Sequence, residues 1–359
     1  MTTHLTSLER VTTVIRGGIP DRVPVDLHNF LMVAHASGLP FPDFLQSGEA
    51  MAEGQLQAWR EFGHDLLILE NGTVALAEAC GCSIQYLTDS APVLVRPAIG
   101  GLDGLDRLVV PDPYKAHLLA ENLKATRIVS REIGGQVAIM GRADQGPFSL
   151  ASMLLGIDTF LLALTDTENE DKLHRLLSFC LEVVFRYAVA QHEQGAHLTS
   201  IGESLSGPDV TSPKMYRTFE WSYAKRLVER LQAVDILLAY HICGNATRIV
   251  DDMAATGAAV LELDYKCDLA KIKAATAGKT TILGVIDPSG VLAFGTPNLV
   301  TEKVREELAI LAPGGGLILG PGCALAPETP PENVHALVEA GHRYGRYGAD
   351  GKLLSLIHI

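Results

Sequence analysis

Three side chains have the types and surroundings to hold a metal ion. His241 and Cys243 stand two apart in Tyr240-His241-Ile242-Cys243-Gly244-Asn245. Residues two apart on a strand point to the same side, so one imidazole and one thiol converge. Cys323, in Gly320-Pro321-Gly322-Cys323, ends a second apolar run, Gly316-Leu317-Ile318-Leu319. Imidazole and thiolate suit Zn²⁺, and three protein ligands with a fourth position open is the usual arrangement of a catalytic zinc. A free cysteine is equally a small hydrophobe that packs in cores. What favours a site is that the flanking glycines, proline and asparagine are turn formers, which put these side chains where strands end and sites gather.

Distant residues meet only if the fold brings strand ends together. Short apolar runs recur along the chain: Val23–His28, Asp65–Glu70, Gln136–Met140, Leu198–Ile201, Ile236–His241, Val260–Asp264, Thr281–Ile286 and Gly316–Leu319. Amphipathic or capped helical stretches follow most of them. About eight strands, each followed by helix, predict a (β/α)₈ TIM barrel, with a doubly wound open sheet as the alternative. Polar residues at the strand carboxyl ends favour the barrel: His28, Arg142, Asp144, Glu203, His241, Cys243, Asp264, Asp287 and Cys323. In a barrel these ends form one rim. Residues 77–111, rich in proline and glycine, read as an excursion of short strands or loops outside the barrel sheet of a single domain spanning 1–359. Within it, Cys80-Gly81-Cys82 has no second pair and is given no role.

Composition limits the function classes. A 359-residue chain with 47% hydrophobic and 20% charged residues is globular. A net charge of −13 with no basic cluster argues against nucleic acid. No window approaches the roughly 20 apolar residues of a membrane span, and Met1-Thr2-Thr3-His4-Leu5-Thr6 has no export-signal pattern, so a cytoplasmic protein is expected. Six scattered cysteines then read as thiols rather than a disulfide framework. No Walker or dinucleotide glycine motif follows a strand.

Over nearly its full length the chain resembles the uroporphyrinogen decarboxylase-like superfamily of (β/α)₈ barrels. The stretches that carry the resemblance are Leu8-Glu9-Arg10-Val11 through Pro20-Asp21-Arg22-Val23-Pro24-Val25, Gly146-Pro147-Phe148-Ser149-Leu150-Ala151, Ser212-Pro213-Lys214-Met215-Tyr216, His241-Ile242-Cys243-Gly244, Asp287-Pro288, Gly295-Thr296, and Gly322-Cys323 through Thr329-Pro330-Pro331-Glu332-Asn333. His241, Cys243 and Cys323 together resemble its zinc-dependent, cobalamin-linked methyltransferase branch. The arginine-rich segment that the decarboxylases carry after the first strand is absent: Leu27-His28-Asn29-Phe30-Leu31-Met32 holds no arginine.

The resemblance implies zinc on His241, Cys243 and Cys323, with Glu203 as candidate fourth ligand or catalytic group. It further implies methyl transfer between cobalamin carried by a partner corrinoid protein and a small acceptor such as a thiol or folate. Glu203 has a second reading, as a carboxylate that caps a helix or hydrogen-bonds substrate. Asp287 is a candidate to orient substrate or to hold His241 in one tautomer, or else a turn former before Pro288. His28, Arg142 and Asp144 are candidates to face the substrate, though Arg142 and Asp144 also suit a rim salt bridge. The rival enzyme reading is a metal-free decarboxylase-like lyase, and a non-catalytic binding barrel is the third.

Overall fold

The computed structural model describes residues 4–70, 72–88 and 91–354. Its strands are β1 (Leu66–Leu69), β2 (Ser83–Gln85), β3 (Val93–Arg96), β4 (Ala138–Gln145), β5 (Leu198–Gly202), β6 (Leu237–Ile242), β7 (Val260–Leu263), β8 (Thr281–Ile286) and β9 (Leu317–Pro321). Seven form one parallel sheet in the order β1-β4-β5-β6-β7-β8-β9. The eighth place belongs to the segment expected as the first strand, which is reduced to two parallel bridges. Val25 pairs with Leu319 of β9 and Asp26 with Leu66 of β1. The Asp26 amide donates to the Leu319 carbonyl at 2.8 Å and the Asp65 amide to the Val25 carbonyl at 2.7 Å, so the sheet closes into a barrel. The ladder is short because Pro24 has no N–H to give and His28 leaves the extended region, at φ 42°.

Alternation along the strands sorts the interior into layers. Leu66 and Ile68, Ala138 and Met140, Leu198, Ala239, Val260, Leu283 and Ile318 form one buried apolar cluster with Val11 and Val14. The last two come from the helix Ser7–Ile15, which starts on a Thr6/Glu9 capping box and seals the amino-terminal end of the barrel. One step further along the same inward faces come Glu70, Arg142, Ser200, His241 and Glu262. The change from apolar to polar therefore happens between positions 68 and 70, 140 and 142, 239 and 241, and 260 and 262. Each buried aliphatic side chain below that level contributes about 1.5–3 kcal/mol. The polar level above it is confined to the carboxyl-terminal mouth.

Two local irregularities shape the carboxyl-terminal end. Residues 142–145 extend β4, whose register to β5 shifts between Arg142 and Gln145, with Asp144 at φ 59°. Between the helical segments Pro213–Met215 and Trp221–Gln232 lies a π-helical stretch, Tyr216–Glu220, and Glu220 at its end accepts from the Tyr240 hydroxyl at 2.8 Å. Within residues 77–111, β2 and β3 form a separate antiparallel pair, followed by a 3₁₀ turn, Leu102–Arg107. No helix among the described residues is long and apolar enough to cross a membrane.

Candidate metal centre

β6 carries His241 inward, and the chain leaves the strand through Cys243 and turns at Gly244, whose φ of 80° favours glycine. The turn is pinned because the Gly244 amide donates to Asp264 Oδ2 at 2.8 Å. Cys323 arrives from the end of β9, where the Gly322 amide donates to the Ile286 carbonyl at 2.8 Å. A Cβ at Gly322 would lie 2.7 Å from the Tyr265 nitrogen, so only glycine lets this loop press against the end of β7.

These constraints bring His241 Nε2 to 2.9 Å from Cys243 Sγ and Cys243 Sγ to 4.0 Å from Cys323 Sγ. The three donor atoms lie within 4.8 Å of one another, the one such His/Cys/Asp/Glu group among the described residues. Two thiolates on a tetrahedral zinc stand about 3.8 Å apart, so the sulfurs are already spaced for one ion, while the imidazole and Cys243 need part by only roughly half an ångström. His241 Nδ1 donates to the Glu262 carbonyl at 3.0 Å, which fixes the ring so that Nε2 is the nitrogen facing the sulfurs. The residues present fit zinc.

The electrostatics favour a thiolate. Cys323 donates its hydrogen to Cys243, whose pKa falls to about 3 against the cost of burial, helped by the neighbouring His241. The same contact pushes the Cys323 thiol up. Both sulfurs are half-buried, within reach of the mouth.

Beneath the centre lies a polar group that the sequence reading did not assemble. Glu262 Oε1 is 2.9 Å from His28 Nδ1 and 3.8 Å from His241 Nδ1. Its Oε2 accepts from Arg142 Nη1 at 3.2 Å, and Glu70 holds the far side of His28 at 2.9 Å. Burial works against charge on Glu262, but His241, His28 and Arg142 hold its carboxyl well below the usual range. Burial likewise disfavours a charged His28, yet Glu262 and Glu70 raise it to about 10. The signal for Glu262 was its place as one acid inside the apolar run Val260-Leu261-Glu262-Leu263.

The other candidates are distributed as follows. His28 and Arg142 join the polar group, and Arg142 pairs with Glu262 rather than with Asp144. Asp144 Oδ2 accepts the Leu76 amide at 2.8 Å. Glu203 is not brought to the sulfurs. Gly202 pairs with His241, so the pleat sends the next side chain out of the barrel, where Glu203 accepts the Phe148 and Ser149 amides at 2.9 and 2.7 Å. It caps the helix Pro147–Leu155 and lies against Glu220, and burial raises its pKa to about 7. Asp287 caps its own turn, accepting from Ser289 and Gly290 at 2.9 Å each. The tautomer of His241 is set by Glu262, not by Asp287.

The chain matches the sequence model of the family described as uroporphyrinogen decarboxylase (URO-D) over residues 6–344. It is 29% identical to the methylcobamide:CoM methyltransferase MtaA of Methanosarcina barkeri, across 93% of this chain and 97% of that protein. To the uroporphyrinogen decarboxylase of Idiomarina loihiensis it is 27% identical, across 85% of each chain. A solved methyltransferase from Methanosarcina mazei superposes with a TM-score of 0.86 at 28% identity, covering 95% of this chain and 99% of that one.

Proposed function

The chain belongs to the uroporphyrinogen decarboxylase family, and we propose that it is a zinc-dependent methyltransferase working with a partner corrinoid protein. The observation that carries this reading is the convergence of His241 Nε2, Cys243 Sγ and Cys323 Sγ at the barrel mouth. The methyltransferase relatives support it. The lyase reading also has relatives, at 27% identity, but it leaves this donor set without a task.

His241, Cys243 and Cys323 hold the ion. Zinc bound there supplies Lewis-acid activation, so that a substrate thiol is present as thiolate at neutral pH. The Glu262 carbonyl keeps the His241 imidazole aimed, and Asp264 and Gly322 keep the two cysteine loops in place. The half-buried sulfurs leave the substrate reachable from the mouth by a cofactor carried on another protein. In the transfer a sulfur–carbon bond forms, and the partner's cobalt–carbon bond breaks with both electrons left on cobalt. The thiol proton is released. His28, Arg142 and Asp144 line the floor on which the rest of the substrate rests.

The test is loss of the methylcobalamin absorbance when zinc-loaded protein is mixed with free methylcobalamin and a small thiol. Demethylation by the wild type, absent in Cys243→Ser, is expected. No demethylation with any thiol or with a folate acceptor would overturn the proposal.

A further inference from the structure

Ser204 Oγ lies 3.6 Å from Cys243 Sγ, within hydrogen-bonding reach of a sulfur. We propose that Ser204 is a positioning residue of the metal centre, whose hydroxyl donates to the Cys243 sulfur and thereby helps a metal-bound substrate thiol to give up its proton. This rests on the zinc methyltransferase reading above. Between a hydroxyl and a thiol either atom can donate. A thiolate has no hydrogen, so once Cys243 is ionised the hydroxyl is the donor.

Ser204 is exposed at the mouth, so its aim depends on the loop that carries it. That loop leaves β5 where the Glu203 amide donates to the His241 carbonyl at 2.8 Å. It is closed on itself by Ser206 Oγ, which donates to the Glu203 carbonyl at 3.0 Å, and by Thr211 Oγ1, which donates to the Ser206 carbonyl at 2.8 Å. Further along it is tied to the Cys243 turn, because Asp209 Oδ2 accepts the Asn245 amide at 3.0 Å. Between these points Gly207 packs so closely that a Cβ there would lie 3.1 Å from the Cys243 carbonyl oxygen. The Ser204 loop and the Cys243 turn are therefore held together as one unit.

A hydrogen bond to a ligating sulfur draws electron density from it, and the metal gains in Lewis acidity. The need is greatest with substrate present, when two cysteine thiolates and the substrate thiolate together outweigh the charge of Zn²⁺. The proton released is that of the substrate S–H, which leaves to solvent, while Ser204 keeps its own hydrogen throughout.

The test replaces zinc by cobalt(II), whose sulfur-to-metal charge-transfer band reports directly on the ligating thiolates. In Ser204→Ala the band should move to lower energy with the metal still bound, and mercaptoethanol should bind the zinc-loaded variant roughly tenfold more weakly by isothermal titration. Ser204→Thr keeps the hydroxyl and should match the wild type in both measurements. An unmoved band with unchanged thiol affinity in Ser204→Ala, as when a water takes the place of the hydroxyl, would overturn the proposal. So would a Ser204→Thr variant that behaves like Ser204→Ala, since the loop and not the hydroxyl would then be at issue. The expected shifts without methylcobalamin demethylation by the wild type would sink the methyltransferase reading and leave the Ser204 contact standing. Demethylation together with an unmoved band would do the reverse, and a wild type that binds neither metal would overturn both.

Discussion

His241 gives its Nδ1 hydrogen to the main-chain carbonyl of Glu262 at 3.0 Å, across β6 and β7, whose register sets the two residues opposite each other. The same residue that fixes the imidazole through its backbone collects His28 and Arg142 through its carboxylate. The imidazole of the proposed metal centre and the buried polar group beneath it are thus tied to one position on one strand.

Replacing Glu262 by Gln keeps the carbonyl contact but strips the charge from between two buried cations. Breaking a buried ionic group from one side costs about 3–5 kcal/mol. Urea denaturation should show a loss of that size, together with an altered charge on His28 followed by NMR. A variant within 1 kcal/mol of wild type, by the same approximate scale, would mean that the buried cations are not balanced by Glu262.

Glu203 separates a structural from a ligand role. Glu203→Ala removes the acceptor of two buried amides, for a predicted loss of about 1–3 kcal/mol, and should leave zinc content and the zinc affinity unchanged. Loss of metal in a variant that remains folded would return Glu203 to the coordination shell.

Much of this was legible in the sequence, and the misses have physical reasons. The strand runs, the order of the barrel and the meeting of His241, Cys243 and Cys323 follow from apolar patterning and turn residues. What patterning does not reveal is parity at a strand's last residue. Glu203 follows Gly202 at the end of β5, and one step decides whether its side chain enters the barrel or leaves it. Arg142 and Asp144 were legible as strand-end groups, but the register shift inside β4 that gives them different partners was not. Glu262 was passed over as part of an apolar run, although a lone acid there needs buried partners that only the closed barrel supplies.

Gly322→Ala should weaken the centre without touching a ligand. Its Cβ would meet the Tyr265 nitrogen at 2.7 Å, so the loop bearing Cys323 must back away from β7. A stability cost of about 1–3 kcal/mol and zinc affinity lower by roughly tenfold or more are expected in competition against a chromogenic chelator. Unchanged affinity would show that the loop adapts freely.

At the opposite end of the barrel, Asp65 predicts an acid limb to the stability curve. Burial works against its charge, but Arg22 and Arg10, at 2.6 and 2.8 Å, hold its carboxyl below the usual range. A depressed folded-state pKa stabilises the fold above the unfolded-state value of about 3.9, and that stability is lost as pH falls through the folded-state value. Asp65→Asn should therefore be much less stable than wild type at pH 7, and the difference should narrow below about pH 4. A difference independent of pH would contradict the assignment.

Zinc K-edge X-ray absorption, recorded before and after adding a small thiol, reads the coordination shell itself. Two sulfurs at about 2.3 Å and one imidazole nitrogen at about 2.0–2.1 Å are predicted, with a third sulfur appearing when the thiol binds. A shell without sulfur, or one that the thiol leaves unchanged, would contradict a centre built from His241, Cys243 and Cys323 to activate a thiol.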